Sequence, residues 1–280
     1  PDDQQRGVFD GLADAAREVG VDVGALLRGT GRMVHATTQS TNAVFAYAGA
    51  RTAVLTTRGF GDTLMIMRAT GRVAGLSVFE RHHYRNTQKP RLLVDERDIF
   101  EVDERMDYQG RVVVPLDEAG IRAIAERLRE RGYEAVAVAF LFSHQNAAHE
   151  KRVRDILREE LPGVYLSLSV EVAPVIGEYE RSATALFNAY VGPVIEQYLR
   201  RLESGFAVAG LRQKLLIVQA NGGVATAAQT VPIFTLESGP AAGVVGAAQI
   251  AKLLGSTNVI ATEVGGTTFK VAIVQNGEWG

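Results

Sequence analysis

The sequence predicts an α/β protein built around a parallel sheet with helices on its faces. Three observations point that way. Helix and strand signals alternate along one stretch, with a helix over 117–131, a strand over 134–142, a helix over 146–160 and a strand over 164–168. That β-α-β order implies parallel strands joined by crossover helices. The 134–142 run is apolar along its length, as expected of a strand buried on both faces. Finally, three Gly-rich turns close strands or open helices, at 221–223, 238–243 and 265–268. Turns at the ends of parallel strands gather on one edge of the sheet, where open α/β sheets bind ligands.

Residues 2–19 carry apolar positions at helical spacing (Val8, Leu12, Ala15, Ala16, Val19), with Asp2 and Asp3 placed to cap the start and Gly20 to stop it. A short strand is expected over 32–36, followed by a helix that reaches about Ala48, capped by Ser40 and Thr41 and ended by Gly49. Residues 51–57 read as an alternating, β-branched strand, closed by Arg58-Gly59-Phe60-Gly61-Asp62. Over 68–91 the pattern dissolves into a basic segment: Arg68, Arg72, Arg81, His82, His83, Arg85, Lys89 and Arg91 stand against the single acid Glu80. It reads as a solvated loop or as a loop that docks an anion or a subunit. Residues 99–105 and 111–114 look like strands of a small antiparallel unit.

Further on, Asp117 caps its helix and Gly132 ends it, while Asn146 starts the next helix and Pro162-Gly163 stops it. The longest helix is expected over 178–205, opened by Glu178-Tyr-Glu-Arg-Ser182, whose first-turn acids complement the helix dipole. A buried strand over 215–220 leads to the Asn221-Gly222-Gly223 loop. The helix over 238–254 is made of small residues, which would let it press close to the sheet, and its N-terminal amides can meet an anion. A boundary near Ile176 divides the chain into regions 1–176 and 177–280.

Composition narrows the class. With 46% hydrophobic and 22% charged residues the chain reads as a soluble globular protein, and a net charge of −2 gives no global field toward nucleic acid or anionic membrane. The absence of cysteine excludes disulfides, thiolate zinc sites and cysteine nucleophiles, and it fits a reducing cytoplasm. No apolar run reaches the roughly 20 residues of a spanning helix. The chain opens at Pro1 and reads as a piece of something longer. Histidine ligation of a metal is disfavoured, because His82 and His83 are adjacent and His144 and His149 lie five apart across a helix start. Neither a Gly-x-Ser-x-Gly elbow nor a Walker-type loop occurs.

The strongest site signal lies over 258–279. Two β-branched runs flank Gly265-Gly266-Thr267-Thr268, and Asn276-Gly277 marks the next tight turn. Without Cβ atoms the two glycines let the backbone approach a ligand. Successive amides there, with the hydroxyls of Thr267 and Thr268, form a concavity suited to phosphate oxygens. Glu263, just before the turn, could hold a metal ion or orient a water. The same spacing also suits an ordinary Gly-containing hairpin.

A resemblance extends this reading. The ordered series His35-Ala-Thr-Thr-Gln-Ser-Thr-Asn42-Ala, Thr56-Thr-Arg-Gly-Phe60, Glu178-Tyr-Glu-Arg-Ser182, Asn188-Ala-Tyr190, Gln219-Ala-Asn-Gly-Gly223, Ser238-Gly-Pro-Ala-Ala-Gly-Val-Val-Gly-Ala247 and Gly265-Gly-Thr267 resembles the hydantoinase A/oxoprolinase family over nearly the whole chain. That family includes ATP-dependent hydantoinases, 5-oxoprolinases and the nucleotide-handling subunits of acetone and acetophenone carboxylases. The segment ending in Phe79-Glu-Arg-His-His-Tyr84 is most similar to the aromatic-ketone carboxylase branch.

The resemblance implies a ribonuclease-H-like, actin/Hsp70/sugar-kinase-like architecture with an additional α+β N-terminal part. It implies ATP and magnesium as cofactors, a small carbonyl or cyclic-amide substrate, and a hydantoinase B-like partner in a cytoplasmic hetero-oligomer. The γ-phosphate would pass to a carbonyl, amide or enolate oxygen, or to bicarbonate. Carried onto this chain, Gly265, Gly266, Thr267 and Thr268 become phosphate contacts. Glu263 takes the place of the acid that holds metal or acts in catalysis, and Gly239 to Gly243 contribute to the nucleotide pocket. The family's usual pattern is Asp-Met-Gly-Gly-Thr-Ser-Thr-Asp, whereas this chain has Glu263 at the first acid and Lys270 at the last. Either Lys270 contacts phosphate as part of the catalytic machinery, or the subunit is a catalytically silent scaffold. A sugar-kinase-like enzyme shares the hairpin logic but not the 238–247 motif. The family's first Gly-Gly-Thr hairpin would lie upstream of Pro1 and its adenosine-contacting part downstream of Gly280, so these residues alone are expected to form an incomplete ATP site.

Overall fold

A computed structural model of the chain describes residues 4–68, 73, 75–83, 85, 91–264 and 269–279. Its first strands are β1 (Met33–His35), β2 (Thr52–Thr57), β3 (Ile99–Val102), β4 (Arg105–Met106), β5 (Val112–Val114), β6 (Ala135–Ala139) and β7 (Tyr165–Leu168). They are followed by β8 (Leu215–Val218), β9 (Val224–Thr226), β10 (Val259–Val264), β11 (Phe269–Gln275) and β12 (Glu278–Trp279). Two compact units result: residues 44–193, and residues 1–43 together with 194–280.

In the unit of residues 44–193, β3, β2, β6 and β7 form a parallel sheet in that order. Successive side chains of a strand point to opposite faces, and both faces of this sheet are covered. Ala53, Leu55, Val136 and Val138 join one core with Ile121, Leu128, Val153 and Ile156, which come from helices Glu118–Glu130 and Ala148–Glu160. Val54, Ala135 and Ala137 face the other way, onto Ala185, Leu186 and Ala189 of helix Glu178–Ala209. The β-α-β alternation expected over 117–168 is therefore present. Asp117 caps its helix by accepting from Gly120 N at 3.0 Å.

Several expectations are corrected in this unit. The strand expected to alternate at 51–57 is buried at all six positions of β2, because it is a central strand with helices on both sides. Residues 99–102 do not join an antiparallel unit with 111–114. β3 instead runs parallel to β2, with Phe100 and Val102 in the core, and β4 and β5 supply the antiparallel pair. Gly49 does not end the preceding helix, which stops at Phe45; Tyr47 takes the left-handed conformation (φ 51°). A Cβ at Gly49 would lie 2.2 Å from the Tyr190 ring, so close packing is what requires glycine there. The basic segment over 68–91 contains a short helix, Val78–Arg81, opened by a capping box between Ser77 and Glu80. Arg72 and Lys89 lie outside the described residues.

Helix Glu178–Ala209 continues past its expected end and contains Pro193. Proline offers no amide hydrogen, and in the turn before it the Tyr190 carbonyl accepts from Ala50 N at 2.9 Å.

In the unit of residues 1–43 and 194–280, β1 runs parallel to β8, which pairs antiparallel with β9. The β8–β9 turn is the expected Asn221-Gly222-Gly223, with Asn221 Oδ1 accepting from Gly223 N at 2.9 Å. A second, antiparallel sheet holds β10, β11 and β12 in order. Asn276 (φ 55°) and Gly277 (φ 80°) link the last two as consecutive left-handed residues, the requirement of a type I′ turn. The first helix is Gln4–Glu18, and its expected caps Asp2 and Asp3 lie outside the described residues. Ser40 and Thr41 are not caps. They sit inside helix Gln39–Phe45, where the Ser40 and Thr235 hydroxyls share a hydrogen bond and Thr41 Oγ1 accepts from Glu237 N at 3.3 Å.

Candidate functional site

β10 and β11 build one side of the candidate site. Their register pairs Val264 with Phe269 and Glu263 with Lys270, so the two charged residues are direct cross-strand neighbours. Gly265, Gly266, Thr267 and Thr268, the expected phosphate contacts, lie between those pairs and outside the described residues. Alternation gives this hairpin two unlike faces. Ile260, Val264, Phe269, Val271 and Ile273 are exposed on one face. Ala261, Glu263, Lys270 and Ala272 share the other face and border a cavity with helix Ser238–Leu253.

That cavity measures about 680 Å³, a size suited to a small-molecule cofactor. The helix bordering it was expected to use small residues to press on the sheet. At two positions the space is open instead. Apart from its own helix, a Cβ at Gly246 would meet nothing within 4 Å, and one at Gly243 would meet a single atom, Glu263 Oε2 at 3.9 Å. A Cβ at Gly239 would touch only Thr38 Cγ2, at an ordinary 3.4 Å. Protein packing therefore does not demand glycine at Gly243 or Gly246; what their missing side chains leave is room in the cavity.

The helix opens from Glu237, held in the left-handed conformation (φ 57°), and no side chain caps its first turn. Uncapped first-turn amides carry the positive end of the helix dipole. The 35–43 stretch supports this start: Ser238 Oγ donates to Thr37 O at 3.2 Å, beside the Thr41–Glu237 contact. In the same unit His35 Nε2 and Tyr198 OH are 2.8 Å apart, and burial holds the His35 pKa below its ordinary value.

Lys270 Nζ is 3.7 Å from Glu237 Oε2. The lysine side chain is 21% exposed and the glutamate 53%, so the ammonium is the more enclosed partner. Glu237, Glu263 and Lys270 together leave the site one negative charge. The structure thus brings Glu263, Lys270, Gly239 and Gly243 to one cavity, as the sequence reading grouped them. It adds Glu237, which that reading passed over. The available signal was an acid directly before a Ser-Gly-Pro helix start, and only the fold reveals its lysine partner.

Among the described residues no group of three or more His, Asp or Glu side chains could hold a metal ion by itself. Glu263, with one carboxylate oxygen beside open space at Gly243, fits the way magnesium is usually held, by one or two carboxylates plus ligand phosphates. Among the described residues no helix is long and apolar enough to cross a membrane.

Residues 1–161 match the hydantoinase/oxoprolinase N-terminal region, and residues 181–280 match the hydantoinase/oxoprolinase domain. The acetophenone carboxylase gamma subunit of Aromatoleum aromaticum is 35% identical over 279 residues, covering 98% of this chain and 38% of that protein. The caprolactamase subunit alpha of Pseudomonas jessenii is 31% identical over 280 residues, covering 99% of this chain and 39% of that protein. A nucleotide-free structure of acetone carboxylase superposes with a TM-score of 0.92 at 27% identity, over 99% of this chain and 40% of that one. The chain spans about two fifths of the length of these relatives.

Proposed function

The chain belongs to the hydantoinase/oxoprolinase family, and we propose that it is the nucleotide-handling part of an ATP-dependent cyclic-amide hydrolase or ketone carboxylase subunit. The observation that carries this reading is the cavity of about 680 Å³ bordered by Gly239, Gly243, Glu263 and Lys270. Packing does not demand glycine at Gly243, and the cavity lies at an uncapped helix start. Relatives named as subunits of acetophenone carboxylase and caprolactamase support the two substrate classes, an aryl ketone and a cyclic amide.

On this reading the first-turn amides of helix Ser238–Leu253 and the backbone at Gly265 and Gly266 bind phosphate oxygens, with Thr267 and Thr268 donating hydroxyls. Lys270 supplies the positive charge that a triphosphate demands, once its ammonium turns from Glu237. Glu263 would be the residue that holds magnesium. Bound MgATP supplies the phosphoryl group that converts a carbonyl or amide oxygen into a good leaving group. The chain's contribution is positioning and charge neutralisation. A hydantoinase B-like subunit would complete the enzyme in a cytoplasmic hetero-oligomer. The test is substrate-stimulated ATP cleavage by the full-length protein with its partner subunit, using hydantoin, 5-oxoproline and aryl ketones. Silence across the whole panel counts against catalysis.

One observation favours a second reading, a catalytically silent scaffold subunit. Lys270 already has a carboxylate partner in Glu237, and needs no phosphate to satisfy its charge. Micromolar ATP binding by the unaltered full-length protein would rule that out.

A further inference from the structure

Three hydrogen bonds join residues 37–41 to the chain entering helix Ser238–Leu253, and a further pair, His35 and Tyr198, stands behind them. All of these residues belong to the unit of residues 1–43 and 194–280. We propose that His35 and Tyr198 are positioning residues of the nucleotide site. Their hydrogen bond fixes the 35–41 stretch, which in turn fixes the helix start that receives phosphate. The inference rests on the nucleotide reading and deepens it.

The helix start needs holding. Glu237 enters it in the left-handed conformation (φ 57°), which a non-glycine residue keeps only where its surroundings impose it. Residues 37–41 are those surroundings. Thr37 O accepts from Ser238 Oγ at 3.2 Å, and Thr41 Oγ1 accepts from Glu237 N at 3.3 Å. The Ser40 and Thr235 hydroxyls share a hydrogen bond. Ser40, Thr235 and Ser238 are fully buried, so protein groups rather than bulk water satisfy them. The Thr38 methyl lies 3.4 Å from where a Cβ at Gly239 would stand, at ordinary contact.

His35 closes β1, at the carboxyl end of its parallel pairing with β8. Its Nε2 is 2.8 Å from Tyr198 OH, and the two rings pack tilted with centroids 5.9 Å apart. The Thr37 hydroxyl donates to the Tyr198 oxygen, and Thr37 Oγ1 accepts from Gln39 N at 3.2 Å. The donors therefore run in one direction, from Gln39 N to Thr37, from Thr37 to Tyr198, and from Tyr198 to His35 Nε2. That order needs an unprotonated Nε2. A proton there turns the acceptor into a donor, and the hydroxyls of Tyr198 and Thr37 must both turn. Tyr198 is the titratable group against the ring, and burial raises its pKa, so it stays neutral. The paired strand β8 is Leu215-Leu216-Ile217-Val218, without a charge to steady an imidazolium. Phosphate held by a fixed helix start therefore favours neutral His35, and by reciprocity acid weakens phosphate binding.

The test uses the full-length protein with magnesium and two probes, ATP and tripolyphosphate, followed by calorimetry. Tyr198→Phe removes the hydroxyl and keeps the ring, while His35→Gln keeps an acceptor near the place of Nε2 and cannot titrate. At about pH 8, Tyr198→Phe is expected to weaken both probes about fivefold, and His35→Gln to stay within about twofold of the natural chain. Towards about pH 5 the natural chain is expected to lose about threefold more affinity than His35→Gln, which shares every other titrating group, the phosphates included. Unchanged affinity in Tyr198→Phe, or parallel acid profiles for the natural chain and His35→Gln, overturns the positioning role while the nucleotide reading stands. A natural chain that binds neither probe overturns both. If Tyr198→Phe does not fold, the two acid profiles decide alone.

Discussion

Lys270 Nζ lies 3.7 Å from Glu237 Oε2, on the strand directly opposite Glu263. One ammonium is therefore paired with one acid and stands across the strands from another at the border of the cavity. If that charge serves phosphate, Lys270→Met lowers the ATP affinity of the full-length protein about tenfold or more, measured by calorimetry. Glu237→Gln frees the lysine and is expected to tighten ATP binding slightly. Should Lys270→Asp bind ATP better than the natural chain, lysine is a block and the scaffold reading gains.

Stability and ligand affinity are expected to part at Gly246. A Cβ there meets nothing within 4 Å, so Gly246→Ala gains helix propensity of about 0.5–1 kcal/mol. The same methyl group narrows the cavity. Denaturant midpoints should rise while ATP affinity falls; a rise in both would show that the glycine serves no ligand.

The opposite holds at Gly49. A Cβ would come within 2.2 Å of the Tyr190 ring, and Tyr190 is itself buried. Gly49→Ala is expected to cost about 1–3 kcal/mol through overpacking, read from urea unfolding.

Arg181→Met tests the anchor of the long helix. It leaves the buried Phe140 O without its donor, at about 1–3 kcal/mol, and also removes the donor to the part-buried His144 Nδ1. Arg181→Lys is expected to recover little, because one ammonium cannot reproduce the forked guanidinium geometry.

Acid is expected to weaken the fold through His35. Burial lowers its folded pKa from the ordinary 6.5, so below that pH the unfolded chain binds a proton that the folded chain refuses. Stability then falls as pH drops through 6.5 and levels off below the folded value. His144, lowered by burial and by the Arg181 charge, adds to the same slope. Replacing both with glutamine should flatten the unfolding midpoint against pH in that window.

Local pattern carried much of this protein into view. The β-α-β alternation over 117–168, the Asp117 cap and the Asn276-Gly277 turn depend on neighbours within a few residues, and such signals are written in order along the chain. The ordered motifs likewise marked the family and grouped Gly243, Glu263 and Lys270. Other features depend on residues far apart in sequence and had no local signal. Ser40 and Thr41 looked like caps because hydroxyls often are, but Thr235 and Glu237, almost two hundred positions away, claim them. Gly49 looked like a helix stop, yet the Tyr190 ring is its reason. β3 chose a parallel partner because Phe100 and Val102 had a core to enter. The pairing of Lys270 with Glu237 belongs to the same class. Periodicity and turn chemistry act through adjacent bonds, whereas burial and charge pairing act through space, and only the folded chain sets those distances.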